Sequence, residues 1–301
     1  MTGRPAEPGP QPAGPVTWPR GYRAAASFSF DVDAESAVLS AVPGSQARAG
    51  IMSHQSYGPL VGVPRILEIL RRHRVTATFF VPGFTAERYP DVVRQIVAAG
   101  HEIAHHGYLH EPLEGVDAET EAGYLDRGLE ALERVAGVRP VGYRAPMWEP
   151  TWNTPRLLAE RGFLYDSSLM DADVPYELAV EGVGDTGSIV EIPIQWALDD
   201  WEQYCFLPGV SGEGLIESPA KVEEMWTLEL DAMREVGGCF ALTNHPFLTG
   251  RPSRAAVLDR LIGRAADHGD LWLASLGQIA EHVRGLRLAA RTIVPPQPDA
   301  G

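Results

Sequence analysis

The chain has 301 residues, 45% of them hydrophobic, enough for a real core in one large α/β barrel or two ordinary domains. Its 40 acidic against 25 basic residues give a net charge of -15, which repels nucleic acid and anionic membrane surfaces. Two cysteines, Cys205 and Cys239, exclude a disulfide framework and a cysteine-built zinc site, and Cys239 sits in an apolar run as a small buried residue.

No stretch approaches the ~20 apolar residues of a membrane span. Residues 1–20 are rich in Pro, Gly and Ala and lack the apolar segment of a secretory leader, so a disordered extension and a cytoplasmic protein are expected. One domain over residues 21–290 and a flexible tail over 291–301 complete the predicted organisation.

Between those tails strands and helices alternate. Residues 24–30 read as a buried strand that delivers Asp31 at its C-terminal end. Residues 61–73 carry helical apolar spacing at Val63, Ile66, Leu67 and Leu70, with Pro64 tolerable only in the first turn. A second strand over 76–81 stops at Pro82-Gly83, and a helix over 89–99 ends at Gly100. A third strand starts at His101 and runs into His105, His106 and His110.

A helix over 118–135 is broken by Gly137 and Pro140; a short strand over 141–144, a helix over 152–161 and a strand over 163–166 follow. Then come a strand over 189–196, a helix over 220–236, a strand over 239–244, a helix over 254–267, a strand over 271–274 and a helix over 276–284. Seven or eight β-α units without a compositional linker predict one barrel, with the long loops 34–57 and 170–188 gathered at its catalytic end.

Asp31 and Asp33, His106 and His110, Arg144, Asp166 and His245 all fall just after predicted strands. Groups at the C-terminal ends of different barrel strands converge on one pocket. Two imidazoles four residues apart face one way where the backbone turns helically, and one carboxylate of the acidic pair completes a three-ligand site with an open position. Strand alternation keeps Asp31 and Asp33 on one side of the chain, with Val32 turned to the wall.

Phe30-Asp31-Val32-Asp33, His106-Gly-Tyr-Leu-His110, Tyr143-Arg144-Ala-Pro146-Met-Trp148 and Thr243-Asn244-His245-Pro246 together resemble the successive motifs of the polysaccharide deacetylase family, the NodB-homology group also called carbohydrate esterase family 4. The resemblance runs from about residue 24 to residue 283. It implies a distorted TIM-like (β/α)7 barrel and a divalent metal, most often zinc, held by Asp33, His106 and His110. It further implies Asp31 as general base, His245 as general acid, and Arg144 as the arginine that holds the base.

Two departures from the family pattern bear on substrate. The first motif reads Asp-Val-Asp-Ala-Glu rather than Asp-Asp-Gly, and the last reads Thr-Asn-His-Pro-Phe rather than Leu-x-Leu-His. With the run Gln195-Trp-Ala-Leu-Asp199-Asp200-Trp201, they resemble a cytoplasmic branch of cyclic-imide hydrolases, allantoinase-like proteins and a peptidoglycan-deacetylase-like enzyme with a closed oligomeric site. The expectation is therefore a metal-dependent hydrolase of a non-peptide C–N bond, acting on an N-acetylated carbohydrate or related small amide, and possible as a homo-oligomer. The rivals are ring opening of a cyclic imide or ureide and a catalytically silent carbohydrate-binding barrel.

Other residues carry blander readings. His105 points away from the ligand pair, His54 and His73 are surface residues, and Glu35 is a solvated loop carboxylate. Trp148, Trp196, Trp201, Tyr204 and Phe206 line either a pocket or the core, and Asp166-Ser167-Ser168 either supports the site or caps a helix.

Overall fold

The computed structural model describes residues 14–180, 187–208 and 216–295. In chain order it runs β1 (Ala24–Asp31), α1 (Ser36–Ala41), α2 (Ala49–Tyr57), a π-helical turn (Gly58–Gly62), α3 (Val63–His73), β2 (Thr78–Val81), α4 (Gly83–Arg88), α5 (Pro90–Ala98), β3 (Glu102–His105) and α6 (Ala118–Ala136). There follow β4 (Gly142–Tyr143), α7 (Thr154–Glu160), β5 (Tyr165–Asp166), β6 (Tyr176–Ala179), β7 (Ser188–Glu191) and α8 (Asp200–Tyr204). The chain closes with α9 (Pro219–Val236), β8 (Cys239–Asn244), α10 (Pro246–Thr249), α11 (Pro252–Asp267), β9 (Leu271–Leu273) and α12 (Leu276–Leu286). No described helix is long and apolar enough to cross a membrane.

Seven parallel strands curl in the order β7-β5-β4-β3-β2-β1-β8, with β6 antiparallel on the outer edge of β7 and β9 beside the first half of β1. This is a distorted (β/α)7 barrel. Among the described residues β8 and β7 are not paired; the segment after β7 spans the gap, where Asp199 bridges Thr243.

Every residue of β1 is buried, as expected of a parallel strand covered on both faces. Phe28, Phe30 and Val32 join the outer core with Phe79, Ile66 and Phe240, while Ser29 and Asp31 turn to the barrel interior. Register brings the strand ends level: Asp31 opposite Phe80, Val81 opposite His105, His105 opposite Tyr143, and Tyr143 opposite Asp166. His106, Arg144 and His245 each follow directly at that rim.

Several predicted elements need correction. The expected loop 34–57 holds α1, a 3-10 turn and α2, and α2 runs through the π-helical turn into α3. The expected helix over 89–99 is α5, but a short helix that was not expected, α4, precedes it, and Pro90, with no N–H to continue α4, separates the two. The expected loop 170–188 contains β6, which pairs back on β7; residues 181–186 lie outside the described residues. Residues 1–13 of the expected extension also lie outside them, whereas Trp18 is buried, and its indole N–H donates to Gly237 O at 2.8 Å.

Candidate metal and acid–base site

β1 ends at Asp31, and the alternation that buries Phe30 and Val32 aims Asp31 and Asp33 at the same side. Asp33 is held by its backbone: its carbonyl accepts the Ser36 hydroxyl and the Thr85 hydroxyl, each at 2.7 Å. Ala34, directly after it, takes a left-handed φ of 49°, as does His110 at 58°; such strain in non-glycine residues collects at functional sites.

His106, leaving β3, donates from Nδ1 to the Arg144 carbonyl at 2.8 Å, which turns Nε2 toward the pocket. That Nε2 lies 3.5 Å from Asp33 Oδ1, and His110 Nε2 lies 3.7 Å from Asp33 Oδ2. One ligand atom from each of Asp33, His106 and His110 falls within 4.8 Å of the others, and all three residues are buried. Burial pushes the His110 imidazole down to about 4, so it is neutral and its lone pair is free near neutral pH. Among the described residues neither carboxylate oxygen of Asp33 has a hydrogen-bond partner. A buried carboxylate set between two imidazole nitrogens is a donor set for a divalent cation, and the residues fit zinc.

Asp31 is treated differently. Arg144, fully buried, donates from Nη1 to Asp31 Oδ1 at 2.8 Å and to Ser29 Oγ at 3.0 Å. Its Nε and Nη2 donate to the Ser167 carbonyl and hydroxyl, each at 3.1 Å, and its guanidinium lies 4.1 Å over the Phe80 ring. Burial raises the Asp31 carboxyl, but the Arg144 guanidinium, with His106 and His245 beside it, outweighs burial and holds it below the ordinary range. Ser167 thus supports the site rather than capping a helix.

His245 begins α10. Its backbone N–H and its Nδ1–H both donate to Asp200 Oδ1 at 2.8 Å, and Asp199 Oδ1 lies 3.4 Å from the same ring nitrogen. The other Asp200 oxygen accepts the Thr249 N–H at 3.1 Å and the Thr249 hydroxyl. His245 Nε2 then faces the pocket, 3.5 Å from Asp33 Oδ2. Burial alone would lower this imidazole; Asp199 and Asp200 reverse that and hold it well above its ordinary value.

These groups line a cavity of about 270 Å3 walled by Trp148, Trp196, Trp201, Val38 and Met147. Trp148 and Trp196 stack with ring centroids 4.7 Å apart, and Trp201 packs edge-on to His245. Tyr204 belongs to the core and Phe206 is exposed, so neither joins the wall. The expectation for Glu35 is corrected: it is 2% exposed, and one oxygen accepts Tyr89 OH at 2.7 Å and Arg88 Nε at 3.1 Å. Its Oε2 has no hydrogen-bond partner among the described residues. Its partners lie over fifty residues away, at and just after the end of α4, a helix the sequence did not disclose.

Asp166 lies at the rim but outside the pocket wall, hydrogen-bonded to the Ser168 hydroxyl at 2.5 Å. His105 is buried against α6, its Nε2–H donating to Leu125 O at 3.0 Å. His54 is half-buried edge-on to Phe247, and His73 is paired to Asp259 at 2.7 Å, so neither is a plain surface residue. The partnership of Asp200 with His245 was not legible from spacing; its only sequence signal is the acidic pair ahead of Trp201.

The profile of the family described as polysaccharide deacetylase matches residues 56–165. A peptidoglycan deacetylase of Helicobacter pylori is 30% identical over 280 residues, covering 85% of this chain and 94% of its own. A Mycobacterium smegmatis crystal structure assigned to the polysaccharide deacetylases is 61% identical, with a TM-score of 0.93, over 96% of this chain and 100% of that one. The crystal structure of Puue allantoinase is 27% identical, with a TM-score of 0.76, over 89% of this chain and 92% of that one. Likeness over nearly the whole length of such relatives, with the barrel seen here, makes the chain a member of the polysaccharide deacetylase family and a hydrolase of carbon–nitrogen bonds other than peptide bonds.

Proposed function

We propose that this protein is a metal-dependent amide hydrolase that deacetylates an N-acetylated carbohydrate or a related small amide. The carrying observation is the Asp33–His106–His110 cluster, whose buried Asp33 has no hydrogen-bond partner among the described residues, set beside an Arg-held Asp31 and an Asp-held His245. Asp33, His106 and His110 hold the cation, with zinc the best match to two imidazoles and a carboxylate. When bound, such an ion polarises the amide carbonyl and lowers the pKa of water.

Asp31 takes the proton of the attacking water, and Arg144 keeps it ionised and oriented for that step. His245, charged through Asp199 and Asp200, gives a proton from Nε2 to the leaving nitrogen. The aromatic wall excludes water and seats the substrate's apolar face. A cavity of about 270 Å3 suits one sugar unit or one small ring, which supports a small substrate over a long polymer buried at once.

A second reading, opening of a cyclic imide or ureide ring, is favoured by the likeness to Puue allantoinase and by the tight, tryptophan-walled pocket. Zinc-loaded protein assayed on N-acetylated chitobiose, succinimide and allantoin separates the two. Acetate released from chitobiose supports the deacetylase; ring opening alone supports the second reading; no turnover on any contradicts both.

A further inference from the structure

His245 can serve only if the turn that carries it stays in place, and that turn rests on an unusual piece of helix. Between α2 and α3 the backbone widens into a π-helical turn in which the Val63 N–H reaches the Gly58 carbonyl, five residues back. Pro59 and Pro64 have no N–H with which to continue an ordinary α-helical ladder here. π-turns inside helices occur often beside functional sites.

The two glycines that bound this turn are the informative residues. Gly58 (φ -53°, ψ -68°) and Gly62 (φ -64°, ψ -56°) both have right-handed helical backbones. Nothing in their conformation requires glycine, and alanine would favour a helix by roughly 1 kcal/mol. Space requires it at Gly62 and is tight at Gly58. A Cβ on Gly62 would overlap the Pro246 carbonyl oxygen and come within 2.8 Å of its carbon; one on Gly58 would lie 3.2 Å from the Phe247 nitrogen. Pro246 and Phe247 directly follow His245.

The contact is locked from the other side. The Gly250 carbonyl, at the end of α10, accepts Tyr57 OH at 3.3 Å and also the Arg65 guanidinium, and Arg65 donates to Tyr57 OH at 2.8 Å. A Cβ on Gly250 would strike both the Pro246 carbonyl and Gly62 Cα. Two backbones therefore meet at bare glycines, one turn from the His245–Asp200 bonds.

We infer that Gly62 and, more weakly, Gly58 are positioning residues for His245: the π-helical turn is the platform that sets the height of the 245–250 turn relative to Asp200 and the pocket. This rests on the role given to His245 above. Adding a Cβ pushes the turn away from the platform and lengthens the His245–Asp200 bonds, while Asp33, His106 and His110, on other strand ends, keep their places.

The test is a steric series in the zinc-loaded full chain: Gly50→Ala, where a Cβ meets nothing within 4 Å, then Gly58→Ala, then Gly62→Ala. Zinc content, kcat and KM on N-acetylated chitobiose or succinimide, and a crystal structure of Gly62→Ala are measured. Expected are equal zinc in all, wild-type kcat for Gly50→Ala, a several-fold loss for Gly58→Ala, and a loss on the order of 10²-fold in kcat with little change in KM for Gly62→Ala. In the crystal, the His245 Nδ1–Asp200 distance should exceed its present 2.8 Å.

Wild-type kcat in a folded Gly62→Ala, or a loss that tracks zinc loss, overturns the inference. If Gly62→Ala does not fold, Gly58→Ala decides: behaviour equal to Gly50→Ala overturns it. If the wild type turns over neither probe, the functional reading fails separately, and the crystal distance still decides the positioning.

Discussion

One carboxylate oxygen of Asp200 accepts both the backbone N–H and the ring Nδ1–H of His245, each at 2.8 Å. The two bonds fix the ring's tautomer and its direction together, so Nε2 can only face the pocket. Asp200→Asn should keep the fold and the bound metal but lower kcat on the order of 10–10²-fold, since a poorly held acid retains part of its effect.

The same variant carries a pH signature. His245 must be protonated to act as an acid, so turnover is lost as pH rises through its pKa. Asp199 and Asp200 hold that pKa up against burial. Removing the Asp200 charge lowers it, and the alkaline limb of the kcat profile should move to lower pH. A limb that stays fixed between wild type and Asp200→Asn would show that another group sets it.

Arg144 is expected to matter for stability as well as rate. It is fully buried and makes four hydrogen bonds to Asp31, Ser29 and Ser167. Arg144→Met leaves the buried Asp31 without its guanidinium partner, which should cost about 3–5 kcal/mol of unfolding free energy. Denaturant melts of the two proteins read this directly; a loss under about 1 kcal/mol would mean the pair is not confined as the structure has it.

A separate pH effect comes from Asp166, which burial raises to about 7 from an ordinary value near 3.8. The fold therefore binds a proton that the unfolded chain releases between those values, and stability contributed by this group falls as pH rises from about 4 to about 7. Asp166→Asn has no such proton. Its melting temperature should gain on the wild type between pH 5 and pH 8; a constant difference across that range contradicts the assignment.

Much of this site is legible in the chain itself. The β1 run announces its burial, and its period of two sets Asp31 and Asp33 on one side. His106 and His110 stand close in sequence, and Arg144 and His245 directly follow short apolar runs. What is hidden depends on contacts distant in sequence or on elements without an apolar stripe. The helix α2 buries Ile51 and Gln55 only, so no periodicity marks it, and the π-helical platform behind it stays invisible. Asp200 lies 45 residues from the histidine it orients, and Glu35 meets Arg88 and Tyr89 across 53 and 54 residues. The strand β6 is held by partners distant in sequence, β7 on one edge and Arg291 on the other.

The central claim is that Asp33 holds the metal while Asp31, gripped by Arg144, moves the proton. Metal analysis of purified Asp31→Asn and Asp33→Asn tests it most directly. Asp31→Asn should retain stoichiometric zinc and lose turnover by on the order of 10²–10⁴-fold, while Asp33→Asn should lose zinc and recover part of its activity at high metal concentration. An Asp31→Asn protein that is metal-free, beside an Asp33→Asn protein that keeps its zinc, would contradict the account and reverse the two roles.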